Sequence, residues 1–222
     1  METQDASAEF LIKFWPWFEA NRKRLVYLTV GAVVVLFIWY FLATQREQRA
    51  IQAGQDFTQL QMSLASGLTA QQAADTYLKL AAQYAGTPAA ERAQLQAAAV
   101  LYNAGRYDDA LVQFQKFLTV NSGSPLASVA HVGAGASLEA AGKLDGAVAE
   151  YRAVATGFPN SSEAVPAKFA LGRVLEAQGK LSDASSYFQE VTRSQLAGSL
   201  GQEAAQRLAG IQSKLAATKS KS

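Results

Sequence analysis

A six-residue motif recurs every 37 residues in the second half of the chain. The three copies begin at Gly105, Gly142 and Gly179, and each runs glycine, a basic residue, a large apolar residue, a mainly polar pair and alanine. An aromatic residue follows each of these alanines by four positions, at Phe114, Tyr151 and Phe188. A fixed period of this length is typical of repeat proteins, so the fold must be built from copies of one small unit.

Each copy predicts a hairpin of two helices. The first helix ends at the glycine, because glycine readily takes the left-handed conformation found at helix C-termini. The second helix begins two or three residues later with acidic residues or serine, which the helix dipole favours there. The alanine lies where the two helices cross. The residues predicted to have these structural roles are Gly105, Ala110, Gly142, Ala147, Gly179 and Ala184.

Neither helix of such a hairpin can bury its apolar face alone, so the hairpins must stack. A degenerate fourth copy precedes the three clear ones, with Ala73 and Tyr77 in register and its turn at 66–69. The segment 45–64 would supply the first helix of that copy, and Leu200–Ala216 would cap the other end. The sequence therefore predicts an all-α solenoid of about four hairpins over residues 44–216, followed by a disordered tail at 217–222.

An apolar run, Leu25–Ala43, contains nineteen residues and no charge. At about 1.5 Å per residue, a helix of this length spans roughly 28 Å, close to the hydrocarbon thickness of a bilayer. We therefore predict a single transmembrane helix over 25–43, preceded by a short cytoplasmic or interfacial segment, 1–24. The predicted anchor includes Leu25, Val34, Trp39 and Ala43. A cleaved signal peptide is the competing interpretation, but the run is long for one and lacks a small-x-small site at its end.

The flanking charges predict the orientation of this helix. Lys13, Arg22, Lys23 and Arg24 precede it, whereas only Arg46 and Arg49 follow closely. The positive-inside rule then places the amino terminus in the cytoplasm and the repeat domain on the opposite side. Aromatic residues of the strip Phe10–Phe18 favour the headgroup level, where the strip would act as an interfacial anchor or as a docking strip for another membrane protein.

The hairpins resemble tetratricopeptide repeats over about Ala65–Ala216. That family has a small residue at position 8 of each unit, here Ala98, Gly135 and Gly172, and glycine at position 15. The usual tryptophan of position 4 is missing, and the period is three residues longer than the common one. The resemblance implies a protein-interaction scaffold whose first helices line a concave face. The residues that it places on that face are Arg92, Leu95, Tyr102, Asn103, Val129, Val132, Glu139, Phe169, Arg173 and Glu176. The family's carboxylate clamp is absent, because Leu95 and Ala99 occupy its positions.

One transmembrane helix followed by about four such units also resembles a narrower family, the YfgM-like ancillary subunits of the SecYEG translocon. This likeness implies a single-pass protein of the bacterial inner membrane that links the Sec channel to periplasmic chaperones. The alternative is a membrane-tethered organiser of the cell envelope or of division, binding partners through its repeat groove. Self-association remains open in both cases.

The composition offers little support for catalysis or for ligands other than proteins. The chain has one histidine, His131, and no cysteine, so a transition-metal site, a disulfide framework and a cofactor are not expected. His131 is expected to be a packed or half-buried helix residue. The formal net charge is +2 with no basic patch, which argues against nucleic acid. We expect a binding scaffold and not an enzyme.

Overall fold

The structure is a computed structural model that describes residues 3–63 and 68–219, with side chains over 15–63 and 68–217. All the regular secondary structure in this part of the chain is helical, as the sequence predicts, with nine helices and no strand. They are α1 (Thr3–Ser63), α2 (Ala70–Gln83), α3 (Pro88–Asn103), α4 (Tyr107–Val120), α5 (Ala127–Ala140), α6 (Leu144–Gly157), α7 (Ala164–Ala177), α8 (Leu181–Arg193) and α9 (Ser199–Lys219).

The chain divides into two compact units, Met1–Ile51 and Gln52–Ser222. The first unit contains the apolar run, and its helix is long and apolar enough to cross a membrane. Apolar side chains throughout the run are exposed, including Val34 and Trp39. Such a surface is unfavourable in water and suits contact with lipid chains. Only the backbone is described for residues 10–14, so the side chains in that part of the predicted interfacial strip lie outside the described residues.

The second unit is a stack of helical hairpins. The end of α1 pairs with α2, where the rings of Phe57 and Tyr77 are 6.0 Å apart and the Tyr84 hydroxyl donates to Asp56 Oδ2 at 2.5 Å. The pairs α3–α4, α5–α6 and α7–α8 follow, and α9 packs on the last of them. The first helices also contact one another in sequence, from α3 to α5, α7 and α9. This succession forms the inner layer of the solenoid.

The turn glycines have the predicted conformation. Gly105, Gly142 and Gly179 have φ between 74° and 76°, in the left-handed region. The residue after each glycine donates a backbone hydrogen bond to the first helix, for example from Lys143 N to Leu138 O at 2.8 Å. This is the six-to-one bond of a Schellman motif, which ends the first helix and reverses the chain. The crossing alanines that follow, Ala110, Ala147 and Ala184, are fully buried.

Small residues let the aromatic side chains fill the hairpins. A Cβ added at Gly135 would lie 2.8 Å from the Tyr151 ring, and one at Gly172 would lie 2.9 Å from the Phe188 ring. The glycines at this position therefore provide the space that the aromatic residue of the same hairpin occupies. Phe188 is fully buried, as is Phe117 in an earlier hairpin. The buried residues form two core clusters, one from Ala53 to Ala134 and one from Leu138 to Ile211, and the partly buried Leu111 packs against both.

The two ends of the repeat region add detail to the sequence prediction. The predicted turn at 66–69 lies partly outside the described residues, but its last member, Thr69, begins α2 through a capping box with Gln72. At the other end α9 continues to Lys219, so part of the predicted tail is helical. Residues 220–222 of that tail lie outside the described residues.

Candidate docking groove

The end of α1 and helices α3, α4 and α5 enclose an open groove of about 470 Å³. We call it the inner groove, and its volume falls within the range of ligand clefts, about 300–1,000 Å³. The residues that line it are Phe57, Gln61, Arg92, Leu95, Gln96, Ala99, Phe114, Leu126, Val129, Val132 and Gly133. Most of these side chains are apolar, so the groove presents a surface that water solvates poorly.

The inner groove has a packed floor and accessible walls. Leu95 and Phe114 are buried and form part of the core, whereas Val129 and Val132 on α5 are half-buried. A Cβ at Gly133 would lie 2.2 Å from the tip of the Phe114 ring, so the absence of a side chain there provides the space that the ring occupies against α5. An apolar side chain entering the groove would therefore rest on rigid, close-packed groups.

Four of the residues predicted on the concave face line this groove, namely Arg92, Leu95, Val129 and Val132. Two others lie at the far end of α3 and do not line it. The Tyr102 ring packs 5.3 Å from the Tyr107 ring, and Asn103 is the exposed last residue of the helix. The structure thus gathers one part of the predicted set into a single concave feature.

The remaining four predicted residues take part in ion pairs and a cation–π contact away from the groove, and they are Glu139, Phe169, Arg173 and Glu176. Arg173 Nη2 lies 2.9 Å from Glu139 Oε1, and Arg207 Nη1 of α9 lies 3.1 Å from Glu176 Oε2. The Arg207 guanidinium also lies over the Phe169 ring, 5.9 Å from its centroid, in a cation–π contact. The capping helix therefore covers this end of the inner layer with its own side chains.

A buried tyrosine joins this network from the second helix of its hairpin. The Tyr151 hydroxyl donates to Glu139 Oε2 at 3.0 Å, and the ring is almost fully buried. Burial raises the pKa of Tyr151 well above its usual value, and the Glu139 carboxylate raises it further. The phenol therefore stays neutral and orients Glu139 toward Arg173.

The single histidine is half-buried, as the sequence predicts. His131 Nδ1 lies 2.7 Å from Glu150 Oε2, and its ring lies 5.8 Å from that of Phe158. Among the side chains that the structure describes, no three of the types His, Asp or Glu come close enough to hold a metal ion. The contacts of His131 are those of a residue that joins two helices of one hairpin and the following connector.

Sequence reasoning missed part of the groove. Phe57 and Gln61 on α1 and Gln96 on α3 line it but were not predicted. Stepping back 37 residues from Leu95 and Ala99 leads to Thr58 and Met62, which are exposed and do not line the groove. The lining residues are one position earlier, and only the displaced glycine of the degenerate turn gave a signal of this shift.

A comparison with protein families agrees with this architecture. A family model described as a tetratricopeptide repeat-like domain matches residues 16–153, more than half of the chain. The match includes the apolar helix and most of the stacked hairpins. No curated protein matches the chain. The chain belongs to the tetratricopeptide repeat-like family, whose helical stacks are typical of scaffolds for protein–protein interaction. Among the residues that the structure describes, one helix is long and apolar enough to span a membrane.

Proposed function

We propose that this protein is a single-pass membrane scaffold that binds an apolar segment of a protein partner in the inner groove. The observation that carries the proposal is the groove itself, an open apolar cleft lined by four of the residues predicted on the concave face. Burying apolar surface drives most protein association, and a groove between helices suits an apolar or amphipathic helical segment.

The proposed biological role is that of an ancillary subunit that links the Sec channel to periplasmic chaperones. Its support is the layout of one apolar helix followed by about four repeat hairpins, which resembles the translocon-associated family. In this role the amino terminus is cytoplasmic, the helix Leu25–Ala43 lies in the bacterial inner membrane, and the repeat domain is periplasmic. The excess of basic residues before the helix supports that orientation.

Site-specific photo-crosslinking in intact bacterial cells tests both parts of the proposal. One probe replaces Gln96 in the inner groove, a second replaces Trp39 in the apolar helix, and a control replaces the exposed Val112 on α4. We expect translocon subunits to be captured at Trp39 and chaperones or translocating chains at Gln96, with neither captured at Val112. Capture of division or cell-wall proteins at Gln96, with no translocon adduct at Trp39, would refute the secretory role and support the envelope organiser.

A helix exchange separates a specific membrane contact from simple tethering. Residues 25–43 are replaced by an unrelated apolar sequence of the same length, which conserves the anchor but changes its side chains. If the helix contacts the channel, co-purification with translocon subunits is lost while membrane localisation is retained. Unchanged co-purification would show that the helix serves only as a tether.

A further inference from the structure

The inner groove contains one charged side chain among the described residues that line it, Arg92. Arg92 lies on α3 and is exposed. No acidic side chain in the described part of the chain forms an ion pair with its guanidinium. A cation at the wall of an apolar cleft thus has only water or an incoming group to neutralise it.

The other charged residues predicted on the concave face are neutralised within the chain. Arg173 pairs with Glu139, and Glu176 accepts from Arg207. At the carboxyl-terminal end of the inner layer these charged side chains therefore have counter-charges within the chain. Among the described residues, Arg92 has none. This contrast distinguishes the groove from the rest of the inner layer.

Two carboxylates of the helices that border the groove form hydrogen bonds with other partners. Glu91 precedes Arg92 in the sequence, and its Oε2 accepts from the Ser124 hydroxyl at 2.5 Å. Asp56, at the end of α1, accepts from the Tyr84 hydroxyl at 2.5 Å. Both hydrogen bonds join neighbouring helices or connectors of the stack, so turning either carboxylate toward Arg92 would break a structural contact.

We propose that the inner groove selects an apolar protein segment that carries a carboxylate side chain, which pairs with Arg92. This inference rests on the proposed function and names the chemistry of its ligand. A purely apolar occupant would remove water from the guanidinium without replacing it, which is unfavourable. A carboxylate compensates for that loss, because the planar guanidinium can donate two parallel hydrogen bonds to it.

The test is selection from a random peptide library displayed on phage, with the full chain held in lipid nanodiscs. Three baits are compared: the wild-type chain, Arg92→Glu, and Ala99→Trp, which fills the groove at a half-buried position. We expect the wild-type chain to enrich apolar peptides with an acidic residue at one fixed spacing. Arg92→Glu should replace that acid by a base, and Ala99→Trp should abolish enrichment. Circular dichroism of each bait shows that it is folded.

The possible failures are distinguishable. Suppose that apolar peptides are enriched, that Ala99→Trp abolishes this enrichment, and that there is no charge preference and no change with Arg92→Glu. This result would overturn the inference about the ligand but leave the groove as a docking site. If the wild-type chain enriches nothing beyond the Ala99→Trp bait, the groove does not bind peptides, and both the inference and the proposed docking function are overturned.

A quantitative check uses two synthetic peptides that differ only by glutamate or glutamine at the selected position, measured by fluorescence anisotropy. An exposed ion pair predicts that the wild-type chain prefers the glutamate peptide by up to about fivefold. With Arg92→Gln the preference should disappear, since both peptides then meet a neutral side chain. Equal affinity of the wild-type chain for the two peptides would overturn the assignment of Arg92.

Discussion

The glycine between the two helices of a hairpin gives a direct test of the repeat architecture. Gly142 has φ of 74°, and a Cβ added to it would meet no atom within 4 Å. Gly142→Ala therefore changes backbone energy without a steric clash. The left-handed conformation costs alanine about 1–2 kcal/mol. The stiffer unfolded chain offsets about 0.4–1 kcal/mol of that. We expect the free energy of unfolding to fall by about 1 kcal/mol.

Two further glycines serve as matched controls, since each receives the same methyl group. Gly210 lies within α9, where the added Cβ also meets no atom within 4 Å. Gly210→Ala should raise the free energy of unfolding by about 0.5–1 kcal/mol, because alanine favours the helix. Gly135→Ala places a Cβ 2.8 Å from the Tyr151 ring. Overpacking of that kind should lower stability by about 1–3 kcal/mol.

The assay is urea unfolding of the full chain in detergent micelles, followed by far-ultraviolet circular dichroism. Midpoints are compared only among variants with equal denaturant dependence, because an altered slope indicates a change in cooperativity. From the highest to the lowest urea midpoint, the expected order is Gly210→Ala, wild type and Gly142→Ala. If Gly142→Ala were as stable as the wild type, or if Gly142→Ala and Gly210→Ala shifted the midpoint in the same direction, the assignment of a left-handed turn at Gly142 would be refuted.

Three other predictions concern the core, the buried tyrosine and the membrane helix. Phe188→Ala removes a fully buried ring and should lower the free energy of unfolding by about 3–5 kcal/mol in the urea assay, whereas truncation of the exposed Val112 should change it little. Folding raises the pKa of Tyr151, so its contribution to the free energy of unfolding is fully present below the ordinary pKa of 10.0. That contribution is lost progressively as the pH rises from there through the raised pKa. Urea midpoints should therefore fall as the pH rises beyond the ordinary pKa, and less steeply with Tyr151→Phe; an identical slope would contradict this. Deleting residues 1–43 should convert a carbonate-resistant membrane protein into an extractable one, as fractionation and immunoblotting would show.

The regular part of the fold was predictable because its signals are local and repeated. A glycine that must adopt positive φ, an alanine at a helix crossing and an aromatic residue one turn later recur with the same spacing, so each copy supports the assignment of the others. The apolar run was equally predictable as a helix able to span a membrane, because its length and lack of charge suffice for that prediction. The family match to residues 16–153 covers the apolar helix and most of the hairpins, in agreement with both predictions.

The inner face was harder to predict because it depends on contacts between units. The resemblance to tetratricopeptide repeats predicted Phe169 and Glu176 on the concave side, but it could not show that Arg207 of α9 lies over Phe169 and pairs with Glu176. The capping helix is a single copy, so its side chains have no repeated pattern from which a register can be read. Long-range ion pairs of this kind emerge only when the helices are packed.

The irregular first hairpin explains why the inner groove is at this end of the stack. In the first regular hairpin, α3–α4, Ala98 is fully buried at the position equivalent to Gly135 and Gly172. The equivalent position of the degenerate copy holds Gln61, which is exposed and lines the groove, while Phe57, one turn earlier, packs near Tyr77. One residue of displacement turns a helix face by about 100°, enough to exchange a core position for a groove position. This departure from the repeat pattern creates a cleft in the stack. Departures of this kind are expected where a fold carries a functional site.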